Sequence, residues 1–148
     1  MSITAHAAIG AAIGTFTPSP LLAAGLGFVS HVLIDLVPHY DPPLLEKKQP
    51  MINKIFLYFL LFVDFALGAL ILWYCTQYGT PSMFVGGLVS AAVDIDAFFL
   101  QKLKLIGIKI HDSKSNWHKQ TTAVKGLFNQ GIAFLISVII IYYQTRPF

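Results

Sequence analysis

The chain has 148 residues, of which 55% are hydrophobic and only 11% charged, with a formal net charge of +3; a globular domain carries roughly 25% charged residues. This length suits one domain, 1–148, and a soluble domain of this size could not hide so much apolar surface. The basic residues fall in a few short loops, which argues against nucleic acid, and the lone Cys75 inside an apolar run excludes an internal disulfide or a cysteine-rich zinc site.

The pattern predicts an all-α, polytopic membrane bundle of about five helices. Helix 1 is expected over Ile3–Phe16, short and rich in small residues, with Gly10 and Gly14 spaced to let a neighbouring helix approach closely. Thr17-Pro18-Ser19-Pro20 turns the chain, because the prolines remove donors and restrict the residues before them. Helix 2 is expected over Leu21–Val37, stopping at Pro38, and DPPLLEKKQP (41–50) reads as a polar, proline-broken loop. Helices 1 and 2 are short for a span and suit a tilted hairpin. Helix 3 is expected from an N-cap at Asn53 to Tyr78, about 25 residues or ~37 Å, ample for a bilayer core of ~30 Å. After the turn Gly79–Ser82, helix 4 is expected over Met83–Leu103, followed by a basic loop and helix 5 over Gly126–Gln144. The first thirty residues lack a basic n-region, so helix 1 is expected to stay in the mature protein.

Nine of the ten basic residues lie between helices 2 and 3 or between helices 4 and 5: Lys47, Lys48, Lys54, Lys102, Lys104, Lys109, Lys114, Lys119 and Lys125. The opposite turns carry no charge, and Arg146 alone lies across. The positive-inside rule then sets the N-terminus in the cytoplasm and the C-terminus outside. The lipid bilayer is the expected partner.

That topology brings every histidine to one side, just beneath the inner leaflet. The stretch SHVLIDLVPHYD (30–41) contains His31, Asp35, His39 and Asp41, although Met1–Ile34 has no Asp, Glu, Lys or Arg. His31 and Asp35 are four apart, so a helix projects them from one face, as a divalent cation such as zinc, manganese or iron requires. The alternative is that Asp35 only holds His31 in one tautomer or caps a neighbour. His39 and Asp41 follow Pro38, which can fold them back over the helix end; the alternative is an ordinary polar loop. Asp94, roughly 12 Å inside Lys102 by helical rise, is expensive unless paired, protonated or bound to a cation. Asp96 points about 200° away on a regular helix, and the alternative for it is solvation. His118 follows Trp117, an expected interface anchor, and His111 is equally a ligand or a surface residue. Asp64, in FLLFVDFALG, is the deepest acid. It reads as a partner of the site or a proton carrier, or else as a protonated acid bonding to Ser30 or Ser90.

TAH at 4–6, the H-x3-D-x2-P-H-x-D run from His31 to Asp41, the stretch from Gly86-Gly87 to Asp96 ending VDID and the His111–His118 loop resemble the YdjM-like family. That family comprises small, LexA-binding, inner-membrane-associated proteins described as metal-dependent hydrolases and similar to zinc-dependent phospholipase C. The resemblance spans most of the chain. It implies a metal held by His6, His31, Asp35, Asp94 and His118, with His39, Asp41 and Asp96 as further members, and a phosphoester substrate; the expected head-group depth of these residues favours a lipid head group. The sequence departs from the family's P-D-x-D-H, having Val93 and Ala97 in place of the proline and the histidine.

The functional expectation is a membrane-embedded metal-dependent hydrolase with zinc as the first choice of ion, with Asp41 or Asp96 as general base. The competing expectation is a non-catalytic integral membrane protein that conducts ions or protons through Asp64 and Asp94, or docks a cytosolic partner on its basic loop.

Overall fold

The structure is a computed structural model that describes residues 2–39, 51–95 and 121–146. Among these residues there are five helices and no strand: α1 (Ile3–Gly14), α2 (Pro20–Asp35), α3 (Met51–Tyr78), α4 (Pro81–Ile95) and α5 (Ala123–Thr145). The chemistry of the helix ends explains most boundaries. The Ser2 hydroxyl accepts the Ala5 N–H at 3.1 Å and starts α1. Ser19 caps α2, with Pro20 in its first turn, where the missing N–H has no intrahelical partner to lose. α2 ends at Asp35, short of the expected Val37, with Leu36 as its C-cap. The chain is already helical at Met51, so Asn53 lies inside the first turn of α3 and is not its cap. α5 begins at Ala123 with Thr122 in the N-cap position, three residues before the expected Gly126. α4 is described to Ile95; its expected continuation to Leu103 lies outside the described residues.

The helices alternate in direction. The turn after α1 and the start of α4 meet at one end, where Thr15, Phe16, Pro18, Pro20, Thr80 and Ser82 line a common cleft. The C-termini of α3 and α5 arrive at the same end, joined by a 2.9 Å hydrogen bond between the Tyr74 and Thr145 hydroxyls. At the other end the Thr121 N–H donates to the His39 carbonyl (3.0 Å), and the Asn129 amide donates to the Pro38 carbonyl (2.8 Å), so the start of α5 lies beside the end of α2.

α3 and α5 are long and apolar enough to cross a membrane. They are not core helices, because only 6% of the most apolar window of α3 and 22% of that of α5 are buried inside the fold. The helix that is buried is α1, from Thr4 to Ala12 and again at Gly14. It packs most extensively on α4 and also meets α2, α3 and α5. A helix enclosed by four others must have small side chains, and ITAHAAIGAAIG supplies them.

The closest approach is centred on Gly86 of α4. A Cβ there would lie 2.5 Å from the Gly10 carbonyl oxygen, and one on Gly27 of α2 would lie 2.5 Å from that of Gly86. Three helices therefore converge where no side chain fits, which bears out the close packing expected at Gly10 and Gly14. At the end where the turns after α1 and α3 meet, Ala11, Ala12, Cys75, Met83 and Ile141 form an apolar cluster.

Gly86→Val should destabilise the fold by about 1–3 kcal/mol or more, because the atom in the way is backbone and cannot rotate aside. Gly25→Ala, at a position with nothing within 4 Å, should be neutral or stabilising by up to about 1 kcal/mol through helix propensity. Thermal unfolding of both variants in detergent measures the contrast; equal effects would contradict the close packing at Gly86.

Candidate metal centre

Asp35 closes the last turn of α2 and His31 lies four residues earlier, so both project from the same helical face toward α1 and α4. His6, one turn into α1, meets them from the opposite side. Its Nε2 is 3.2 Å from Asp35 Oδ1, while His31 Nε2 is 3.3 Å from Asp35 Oδ2. The two imidazole rings stack, with centroids 4.0 Å apart and an interplanar angle of 26°. His39, beyond the end of α2, is fully buried and brings its Nε2 to 4.0 Å from Asp35 Oδ1. One carboxylate is thus surrounded by three imidazoles, one from α1 and two from α2 and the segment that follows it.

The outer faces of two rings are fixed. His31 Nδ1 lies 2.8 Å from the Ser90 carbonyl of α4, and His39 Nδ1 lies 2.9 Å from the Val37 carbonyl. A carbonyl only accepts, so each Nδ1 carries the hydrogen, and in a neutral ring Nε2 then holds a lone pair. Both lone pairs face carboxylate oxygens, which are also acceptors. A proton, on a ring or on the carboxyl group, or a metal ion between them would satisfy such a contact. Protonating the stacked rings together would set like charges 4.0 Å apart around a single carboxylate. A cation shared by the imidazole nitrogens and the carboxylate removes the conflict.

His6, His31 and Asp35 could hold a metal ion: each offers a buried ligand atom, and these atoms all lie within 4.8 Å of one another. In a tetrahedron with bonds of about 2.0–2.1 Å, neighbouring donors are about 3.3 Å apart; His6 Nε2 lies 3.2 Å from Oδ1 of Asp35 and His31 Nε2 lies 3.3 Å from Oδ2, so each imidazole is at that spacing from a different oxygen. Backbone carbonyls that receive the far nitrogen of a histidine are the usual means of orienting such ligands. These two carbonyls had no signature at the sequence level, since any residue type supplies one.

Asp94 belongs to α4 one turn beyond Ser90, on the same helical face; its side chain is outside the description. Asp41, Asp96, His111 and His118 lie outside the described residues.

Asp64 has a different role from either expectation. Its Oδ2 accepts the Ile3 N–H at 2.8 Å, its Oδ1 accepts the Thr4 N–H at 3.1 Å, and its own carbonyl accepts the Thr4 hydroxyl at 2.6 Å. The Ser30 hydroxyl donates within its own helix, to the Gly27 carbonyl. Asp64 therefore satisfies the first turn of α1, where backbone donors have no intrahelical partner and the helix dipole favours negative charge. This contact also fixes the level of the cluster. Asp64 lies about 20 Å by helical rise from either end of α3, and His6 is less than a turn from the residues Asp64 holds. The cluster is level with the middle of α3, deeper than the end of the helix, where the sequence had suggested it.

Comparison with family models, with curated proteins and with solved structures finds no match for this chain.

The geometry predicts that purified protein titrated with a divalent ion such as Co²⁺ binds it with nitrogen ligation. Asp35→Ala, which removes the central donor, should weaken binding beyond the about 10–100-fold that loss of an outer hydrogen-bond partner costs. Competition with a chromophoric chelator measures this, and equal affinity in both proteins would remove Asp35 from the ligand set.

Proposed function

We propose that the chain is an integral membrane protein whose buried His6–His31–Asp35 group holds zinc and hydrolyses a phosphoester, a phospholipid of the surrounding bilayer being the substrate class proposed. The observation that carries the metal half of this reading is the convergence of the His6 and His31 imidazole nitrogens on a single buried carboxylate. Three protein donors leave a tetrahedral ion one open position, the arrangement found in catalytic zinc sites rather than structural ones. The hydrolytic half follows the YdjM-like resemblance of the H-x3-D-x2-P-H-x-D run.

Membrane insertion is supported by what surrounds α3. Phe56, Phe59, Phe62, Phe65, Leu70 and Trp73 are all exposed along it, and they occupy several faces, so one soluble partner could not cover them. The asymmetry of the lysines supports a cytoplasmic N-terminus at an inner, plasma-type membrane.

In this reading His31 and His6 present nitrogen and Asp35 presents oxygen to the ion, with the Ser90 carbonyl holding the His31 ring in place. His39 stands close enough to join through a small movement of the segment after α2. Such an ion supplies Lewis acidity, making water nucleophilic near neutral pH and offsetting charge that develops on a phosphoryl oxygen. Asp41 or Asp96 would take the proton from the attacking water. Asp94 and His118, which the resemblance adds to the donors, would serve a second ion and leave the open position on the first.

Elemental analysis of detergent-purified protein should find zinc in the wild type and little in the His31→Ala, Asp35→Ala double variant. In mixed micelles of phospholipid, the wild type should release phosphate or a phosphorylated head group at a rate that chelator abolishes and zinc restores. Negligible metal in both proteins would defeat the metal reading. Bound zinc with no turnover on any phosphoester would leave a metalloprotein of another kind.

A further inference from the structure

We propose that Asp64 is the register lock of α1: by holding Ile3 and Thr4 it selects which turn of α1 presents its side chain to His31 and Asp35. The need for a lock is written into α1 itself. Residues 7–10 read Ala-Ala-Ile-Gly and residues 11–14 read Ala-Ala-Ile-Gly again. A slide of four residues, one turn or about 6 Å, would return Ala-Ala-Ile-Gly to one of these two stretches of the groove formed by α2 and α4. The overlapping repeat itself does not distinguish the two registers, so the register is set by contacts outside the overlap, among them the close approach, at Gly10 or Gly14, that the slide would leave without a glycine. One-turn ratchets of a helix past its neighbours are a known type of bistable motion.

The features that break the repeat lie at the start of the helix. The carboxyl group of Asp64 takes the N–H groups of Ile3 and Thr4, and its backbone carbonyl takes the Thr4 hydroxyl, giving three polar contacts from one residue of α3. Gly68, one turn further along α3, keeps that approach close: a Cβ there would come within 3.2 Å of Ile3 Cγ2. After a one-turn slide these backbone donors would lose their acceptors in apolar surroundings, and a carboxylate in the middle of α3 would lose its partners. His6 is two residues beyond Thr4. A shift of even one residue moves it about 1.5 Å and turns it about 100°, far outside the tolerance of about 0.2 Å expected of metal–ligand distances.

Asp64 thus acts through His6 without touching the cluster. Its consequence at the ion rests on the metal reading above; its hold on α1 does not. Two measurements separate these. In the first, Ile3→Cys and Gly68→Cys are combined in a Cys75→Ala background and cross-linked with a mild oxidant, without metal. The disulfide should form readily with Asp64 present and fall several-fold with Asp64→Ala; equal yields would overturn the proposal. In the second, Co²⁺ affinity is measured by chelator competition in a double-mutant cycle of Asp64→Ala and His6→Ala. Asp64→Ala should cost 10-fold or more in the wild-type background and less than 2-fold when His6 is already absent. Equal losses in both backgrounds would mean that Asp64 acts on the whole fold, and the proposal would fail. Asp64→Asn, which keeps one carbonyl acceptor, should give an intermediate cross-linking yield and replaces the alanine variant in both experiments should that variant not fold. A wild type that binds no Co²⁺ would defeat the metal reading, while the cross-linking result would still decide the role of Asp64.

Discussion

Everything in this fold depends on the enclosure of α1. A helix of 12 residues surrounded by four others can exist only if its side chains are small, and smallness has two consequences. Backbones approach until Gly10, Gly27 and Gly86 meet without room for a methyl group, which gives dispersion contacts along the whole helix. Small apolar side chains, however, provide little shape to fix position. The polar contacts at the start of α1 supply what the packing lacks, and the His6 side chain enters the cluster from a helix whose other buried residues are nearly featureless.

The same enclosure explains why three imidazoles and a carboxylate can be held together in apolar surroundings. Ordinarily such groups would be solvated, and desolvating them is costly unless each is paired. Here the backbone of α4 supplies one acceptor through Ser90 and the exit from α2 supplies another through Val37. Those bonds dictate which ring nitrogens face Asp35, and so create a site whose electrostatics favour a cation. The position of the site, level with the middle of α3 and not at its end, follows from the shortness of α1. The N-terminus of α1 is held at Asp64, and its C-terminus reaches the uncharged turns after only about 18 Å.

The path of α5 adds a further restraint. Asn129 and Thr121 grip the carbonyls of Pro38 and His39, so the segment that carries His39 is tied to a helix that contributes no ligand of its own among the described residues. Side chains from α1 and α2 and a third imidazole steadied by α5 place the cluster at the junction of the bundle. Motion of any one helix would be felt there.

Among the described residues the sequence by itself determined the secondary structure to within a few residues, because proline, glycine and capping serines act locally: α2 stops three residues before Pro38, and Thr17-Pro18 separates it from α1. It determined that α3 and α5 are long apolar helices, since length and composition are properties of a segment. It also determined that His31 and Asp35 share a face, because a spacing of four is fixed by helical geometry alone. Only the tertiary structure decided that His6, twenty-five positions earlier than His31, stacks on it, and that Asp64 caps α1 instead of serving the site directly. The physical reason is that both contacts depend on how far α1 slides against α2 and α3. The acceptors and donors that set this distance are mostly backbone groups, which every residue possesses and no residue type announces.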